Sequence, residues 1–519
     1  MIIGGGLKLD KLEEYISYID SVVVGHNYSR LGTVFETKRN SYFYDSGTGK
    51  VYECTKDEYE VFKYILENNK ISGIDSIGLQ KSCLLSVLED IQNLVKQENI
   101  LQMPMYTNFT PYLKETLQKK LNEEFKQLIL EVTQNCNLRC GYCIYHDGNG
   151  TFRNFSNRSM TWETAKKAID YAFQHSGDEI AITFYGGEPL VNYDLLKECI
   201  EYCRKQENGK RKITYSFTSN LTLMTKERAE YFASLGNCSI MGSIDGPEEI
   251  HNRFRKTKEQ KGSFKKAIDG LRNLIIAYGE NAEKMISINA VLAPPYSASL
   301  YEKVNNYFKD TEWLPNNIKV HCSYMDPDTY DVAFPNGIPA ITNNESDTDY
   351  SISDWSIKEV LSSNETKLQQ SIVEDNLLKI HKRFITDKPI PTMNRNACCI
   401  PGQRRLYVTT DGEYRICERV GKSPSLGNVD IGIDFDKLYE SYIQSYEIKA
   451  VNKCSNCWCN HLCSMCYVSY CNENEIDFEK KFKDCDIEKE MCKRNLIRYH
   501  SILEENPKWL EHLNDIKQV

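Results

Sequence analysis

The chain has 519 residues, 41% of them hydrophobic and 26% charged, with a formal net charge of −9. That length exceeds one ordinary core and points to about three domains. No run of eighteen apolar residues is present to span a membrane, and the acidic balance speaks against sequence-independent binding of nucleic acid.

Residues 30–100 read as a small α+β unit. VFETKRNSYFYDSGTGKVYEC holds two strand-like runs about the turn residues Asp45, Ser46 and Gly47. DEYEVFKYILEN follows with Tyr59, Phe62, Ile65 and Leu66 at helical spacing, and a second helical run covers 78–98. Residues 101–125 are polar, then lysine-rich, and read as a linker or connecting helix. From 126 onward strands alternate with helices. The strands are LILEVTQ (128–134), IAITFY (180–185), ITYSFTS (213–219), CSIMGSID (238–245), MISINAVLA (285–293) and IKVHCSYM (318–325). Six such units predict an α/β domain over 126–325, a partial (β/α)6 barrel whose ligand site lies at the C-terminal ends of its strands. Residues 326–356, rich in Asp, Asn, Pro, Thr and Ser, read as an inserted loop or lid; the insertion and a connecting helix reach 394. Residues 395–500 carry short strands (RRLYVTT, EYRICERV) about Asp411-Gly412, and 501–519 form a tail.

Cysteine is the outlier, at twenty. The start MIIGGGLKLDKLEEY lacks a basic region followed by an apolar run, so the thiols are expected in a reducing, cytoplasmic setting where clustered cysteines bind metal. Cys136, Cys140 and Cys143 follow C-x3-C-x2-C directly after the first barrel strand, ahead of the Gly- and Asn-rich stretch 147–150. Thiolates suit iron–sulfur clusters or zinc; a four-iron cluster wants four ligands, and three leave one iron open. Zinc fits the 3-then-2 spacing poorly. This motif resembles that of the radical S-adenosylmethionine (radical SAM) superfamily. Gly186-Gly187-Glu188-Pro189 after the second strand matches the superfamily's GGEP, which implies contact between Glu188, the neighbouring backbone and the methionine amino group of SAM. Ser219 and Asn220 end the third strand, where members contact ribose. Ser243, Asp245 and Gly246 end the fourth and resemble an SxDG segment. The same residues read otherwise as turn residues and caps. The resemblance implies a [4Fe-4S] cluster with SAM, an external flavodoxin- or ferredoxin-like reductant and oxygen sensitivity.

The second cysteine crowd begins with Cys399, separated from Gly412 by twelve residues, and Cys417, separated from it by four. Cys454-x2-Cys457-x5-Cys463-x2-Cys466 and then Cys485 follow. This resembles the SPASM domain, with x2 in place of x3 before Cys466 and extra thiols at Cys398, Cys459, Cys471 and Cys492. The resemblance implies one or two auxiliary [4Fe-4S] clusters: one on Cys454, Cys457, Cys463 and Cys485, the other on Cys399, Cys417 and Cys466, with Cys398 as a further candidate. Zinc knuckles are the alternative. Glu418 stands where related sulfatase-maturing enzymes have a general base, and reads equally as a solvated surface residue. Cys54, Cys83, Cys199, Cys203, Cys238 and Cys322 are expected to pack as small apolar residues.

The layout of the front unit resembles the PqqD-like domain of peptide maturases, which binds a leader peptide by strand addition; the other reading is a structural extension. Taken together the chain resembles a thioether-forming (ranthipeptide-like) maturase of a ribosomally made, Cys-rich precursor. The alternatives are oxidation of Cys or Ser to formylglycine, carbon–carbon crosslinking or epimerisation of a peptide, and a zinc-knuckle binding protein without enzymatic activity.

Overall fold

The computed structural model describes residues 10–111, 113–146, 150, 152–206, 211–338, 351–362, 364, 366–467 and 470–516. Residues 147–149 of the Gly- and Asn-rich stretch and 339–350 of the expected lid lie outside them. At the front, β1 (Gly32–Glu36), β2 (Ser41–Asp45) and β3 (Val51–Cys54) form an antiparallel sheet in that order. The sequence suggested two strands here and the structure has three, because Thr37–Asn40 make a further tight turn, the Asn40 carbonyl accepting from Thr37 N at 3.0 Å. The expected turn is the one after β2, where the buried Asp45 carboxylate accepts from Thr48 N at 2.8 Å and Leu101 N at 2.9 Å. Helix Lys56–Glu67 is started by a capping box between Thr55 and Glu58, and its Phe62 ring stacks on Phe43 at 4.1 Å. Helix Lys81–Glu98 buries Leu84, Val87, Leu88, Ile91 and Val95. Cys83 lies off that stripe and is exposed, against expectation; Cys199, Cys203 and Cys238 are buried as expected. A further helix, Lys11–Val22, precedes the unit.

The parallel run consists of β4 (Phe125–Thr133), β5 (Ser176–Gly186), β6 (Lys212–Ser219), β7 (Cys238–Ser243), β8 (Ile286–Leu292) and β9 (Lys319–Tyr324). Each strand pairs in parallel with the next. β4 is buried through most of its length, as a strand covered on both faces must be, and β8 alternates buried and half-buried residues. Three of the helices between them begin on side-chain caps, from Thr161, Thr225 and Ser297.

The C-terminal strands extend this sheet, which the sequence did not suggest. β10 (Leu406–Val408) pairs in parallel with β4, Leu406 opposite Leu128. β11 (Glu413–Arg415), β12 (Gly427–Asn428) and β13 (Gly432–Ile433) then continue it antiparallel, so ten strands run β13-β12-β11-β10-β4-β5-β6-β7-β8-β9. The turn from β10 to β11 is allowed by Gly412 at φ +85°. The sheet stays open, with β9 and β13 as its edges. No helix among the described residues is long and apolar enough to cross a membrane.

Candidate functional site

β4 ends at Thr133, and the next loop carries Cys136, Cys140 and Cys143. It is braced by the chain that follows helix Glu248–Phe254: Arg139 N donates to Lys256 O at 2.7 Å and Gly141 N to Phe254 O at 3.0 Å. The Arg139 guanidinium donates to Cys136 O at 2.8 Å and lies 4.1 Å over the Phe155 ring. The Cys136 sulfur accepts from Leu138 N at 3.4 Å and Asn220 Nδ2 at 3.8 Å. Burial pushes the Cys136 and Cys143 thiols up to about 12. They are therefore neutral at ordinary pH unless a cation draws out the thiolate.

The glycines at the end of β5 are closely approached by backbone. A Cβ on Gly186 would stand 2.1 Å from Thr133 O, and one on Gly187 2.3 Å from Asn135 O. What approaches them is the root of the cysteine loop, fastened by Gly187 N to Thr133 O at 2.9 Å and Glu188 N to Asn135 O at 3.0 Å. Pro189 opens the buried turn that follows. Glu188 is 1% exposed. Its carboxylate accepts from Ser219 Oγ at 2.8 Å, Asn220 N at 2.7 Å and Leu190 N at 3.2 Å, so it ties the end of β5 to the end of β6. Burial still raises this carboxyl above the ordinary range, which a neighbouring cation would reverse. Asn220 Nδ2 also reaches Asn137 Oδ1 at 2.9 Å, joining β6 to the cysteine loop.

Ser243 is buried at the end of β7. Asp245 is braced within the protein: one oxygen accepts from Tyr142 OH at 2.5 Å and the other from Val291 N at 3.1 Å, with Arg255 4.0 Å away. Arg255 donates to Tyr142 OH at 2.8 Å. Sequence reasoning passed over Tyr142 and Arg255, although the first lies inside the cysteine motif and the second ends the segment after Asp245. It also passed over a belt of buried Tyr145 and Tyr407 and half-buried Tyr185 beside Cys143. Tyr185 and Tyr407 meet edge to face at 6.1 Å, and Arg153, ion-paired with buried Glu131, lies 3.9 Å over Tyr145. Glu131 also accepts from Thr410 N at 3.1 Å, locking the β10–β11 hairpin onto β4.

In the C-terminal unit, helix Ser445–Ser455 carries Cys454 in its last turn and helix Cys485–Glu505 begins on Cys485, where the helix N-terminus favours a thiolate. Together with Cys457, Cys459 and Cys463 they line one cavity of about 140 Å³. The quartet expected from sequence, Cys454, Cys457, Cys463 and Cys485, is thus brought together. A fifth thiol joins it: Cys459 Sγ is 3.5 Å from Cys457 Sγ. Burial pushes Cys454 and Cys463 up to about 12. Lys481 also lines the cavity, buried and with no hydrogen-bond partner for its ammonium. The second expected set is not lined up along one cavity as the first is. Cys399 accepts from Arg404 at 3.3 Å and Cys417 from Arg405 at 3.8 Å, while Cys398 and Cys466 are neighbours of each other. Glu418 is ion-paired with Arg405 at 2.8 Å and accepts from the Cys417 thiol at 3.2 Å.

The model of the Radical SAM superfamily matches residues 130–299, the span that holds the three-cysteine loop and the ends of β4 to β8. The chain carries a radical SAM domain. It is 31% identical over 155 residues to a cysteine-type anaerobic sulfatase-maturating enzyme of Clostridium novyi, covering 29% of this chain and 41% of that enzyme. It is 25% identical over 284 residues to the radical SAM cyclopropyl synthase TigE of Paramaledivibacter caminithermalis, covering 50% of this chain and 55% of that protein. The chain spans about half, or less, of the length of the curated relatives it matches. The solved structure of native anSMEcpe with bound AdoMet and Kp18Cys peptide aligns over 75% of this chain and 99% of its own, at 18% identity and a TM-score of 0.49.

Radical SAM domains bind a [4Fe-4S] cluster and SAM, and the thiols of the three-cysteine loop fit the cluster. Among the described residues no group of three or more Cys, His, Asp or Glu side chains converges as a single metal ion needs. Three soft donors spaced along one loop suit the larger cluster. In the C-terminal cavity, five thiols around a buried, unpartnered ammonium form a donor set for an anionic group.

Proposed function

We propose that the chain is a radical SAM peptide maturase that joins a Cys sulfur to a carbon of another residue in a ribosomally made, Cys-rich precursor. One juxtaposition carries this reading: a three-cysteine loop ends β4, and β10, hydrogen-bonded to β4, brings in a unit whose cavity is lined by five thiols. A four-iron cluster on Cys136, Cys140 and Cys143 with SAM would supply a 5′-deoxyadenosyl radical able to take hydrogen from an unactivated C–H bond. In this reading Glu188 receives the ammonium of SAM, with Gly186, Gly187 and Pro189 fixing its place. Ser219 and Asn220 face the ribose, and Ser243 and Asp245 close the same wall. The tyrosine belt excludes water beside the radical.

The reading assigns residues 1–100 to leader recognition, 101–125 to a linker and 126–325 to the radical SAM core. It assigns 326–394 to an insertion, 395–500 to a SPASM-type unit and 501–519 to a tail. Support for leader binding is the PqqD-like layout and the edge of β3, which pairs only with β2 among the described residues. Cys454, Cys457, Cys463 and Cys485 would hold one auxiliary cluster; Cys399, Cys417, Cys466 and Cys398 would hold another after closing together. An external flavodoxin- or ferredoxin-like protein supplies the electron. The sulfatase-maturating relatives favour a second reading, formation of formylglycine, with Glu418 as the base.

The test is anaerobic incubation with reductant, SAM and a Cys-rich peptide encoded beside the gene. The expected outcome is 5′-deoxyadenosine together with a peptide that has lost two hydrogens per bond and no longer reacts with a thiol reagent at that Cys. Turnover of a sulfatase peptide to an aldehyde would move the assignment to the second reading. Colourless protein containing zinc and no iron would remove both.

A further inference from the structure

Lys481 sits in helix Phe478–Lys483 and is 2% exposed. Its ammonium has no hydrogen-bond partner, and the tyrosine rings it faces, Tyr446 and Tyr470, have centroids 5.6 and 5.5 Å away. The side chain lines the cavity of Cys454, Cys457, Cys459, Cys463 and Cys485 and lies within electrostatic reach of Cys398 as well. The other charged groups of the cavity are differently placed. Lys453 is exposed, Lys489 is paired with Asp486 at 2.9 Å, and the Glu488 carboxylate accepts from Ser464 N. An ammonium taken out of water with no anion beside it is strongly destabilising. A chain of net charge −9 has carboxylates to spare, yet among the described residues none accepts a hydrogen bond from Lys481. The position makes sense when the missing anion is the occupant of the cavity.

We propose that Lys481 is the buried counter-cation of the iron–sulfur cluster in this cavity and raises that cluster's reduction potential. The inference rests on the reading of the cavity as an auxiliary cluster site. A cluster with four thiolate ligands is an anion, and reduction adds one further negative charge. A fixed positive charge beside it therefore stabilises the reduced state more than the oxidised one. Net charge and hydrogen bonds to sulfur are the levers by which a protein sets such a potential. Lys481 is a tuning residue here, since it neither ligates iron nor touches the peptide.

Lys481→Met keeps the length of the side chain and removes its charge, and Lys481→Arg keeps the charge. The anaerobically purified full chain is titrated with reductant while the electron paramagnetic resonance of each cluster is followed. The C-terminal signal is identified by its loss, with about four irons, in Cys454→Ala. Lys481→Met is expected to keep its iron and to shift the C-terminal midpoint downward, with the first cluster unmoved; Lys481→Arg restores the midpoint. After iron is stripped by chelation the order of stability reverses, and Lys481→Met melts at a higher temperature than the parent because the unpaired charge is gone. An unchanged midpoint in Lys481→Met overturns the proposal, as does loss of the C-terminal iron from that variant. Failure of Cys454→Ala to lower the iron content overturns the cluster reading and this inference with it.

Discussion

At the scale of single residues, the site depends on backbone packing against backbone. Gly187 lies with the carbonyl of Asn135 where a side chain would be, 2.3 Å from a Cβ position, and neither partner can swing aside as a side chain can. Gly187→Ala must therefore displace the chain just ahead of Cys136. Overpacking of this kind costs about 1–3 kcal/mol, and here the displaced segment is the one that presents the thiols. The expected result is a lower melting temperature and loss of the irons bound by Cys136, Cys140 and Cys143, with the C-terminal iron retained. Gly150→Ala, where nothing lies within 4 Å, is the control and should leave both unchanged. Iron content and thermal melting of the two variants check this directly. Equal iron in the two would mean that the glycines are dispensable to the loop.

At the scale of elements, the front unit is joined to the C-terminal cysteine loop by direct hydrogen bonds. Arg30 is fully buried and donates to Met103 O at 2.6 Å and Pro104 O at 3.0 Å, with Ser455 O at 3.5 Å. Ser46 Oγ donates to Trp458 O at 2.5 Å. A peptide seated on the front sheet would thus sit on a body rigidly related to Cys454 and Cys457. If the leader adds as a strand, it does so at the free edge of β3. Adding leader peptide should then slow hydrogen exchange at Val51–Cys54 and leave helix Lys81–Glu98 unaffected. Protection confined to β1, or none at all, would rule out addition at that edge. The strands and helices of the core were legible in sequence because their apolar periods and caps are local. The three-thiol loop was legible because its cysteines lie within eight residues. Pairing of β10 with β4 was not, since strands 278 residues apart carry no mark of their partner. Nor were Arg255, Tyr407 or Lys481, whose significance comes from what the fold sets beside them.

At the scale of the molecule, the front unit and the C-terminal helix share a core, and that core contains a histidine held neutral. His500, on helix Cys485–Glu505, packs against Phe35 and Tyr42 at 5.0 Å each, and its Nδ1 lies 2.8 Å from Leu496 O. Burial lowers it to about 4. In the unfolded chain a histidine takes up its proton near 6.5. Above that pH neither state binds the proton, and His500 adds no pH dependence. Between about 6.5 and 4 the unfolded state binds a proton that the folded state refuses, so stability falls as the pH falls. One proton is worth about 1.4 kcal/mol per pH unit, and the decline from this group levels off below about 4, where the folded state takes up the proton as well. His500→Phe removes the group while keeping a ring in the same contacts. The parent and the variant should melt within a few degrees of each other at pH 7.5 and diverge as the pH is lowered through 6, the parent falling faster. Because His500 bridges the two units, the early loss on acidification should appear as exposure of β1 and β2 to proteolysis ahead of the β4–β9 sheet. Parallel melting curves for the two proteins from pH 7.5 to 5 would mean that His500 is protonated in the folded state and that the shared core is open to water.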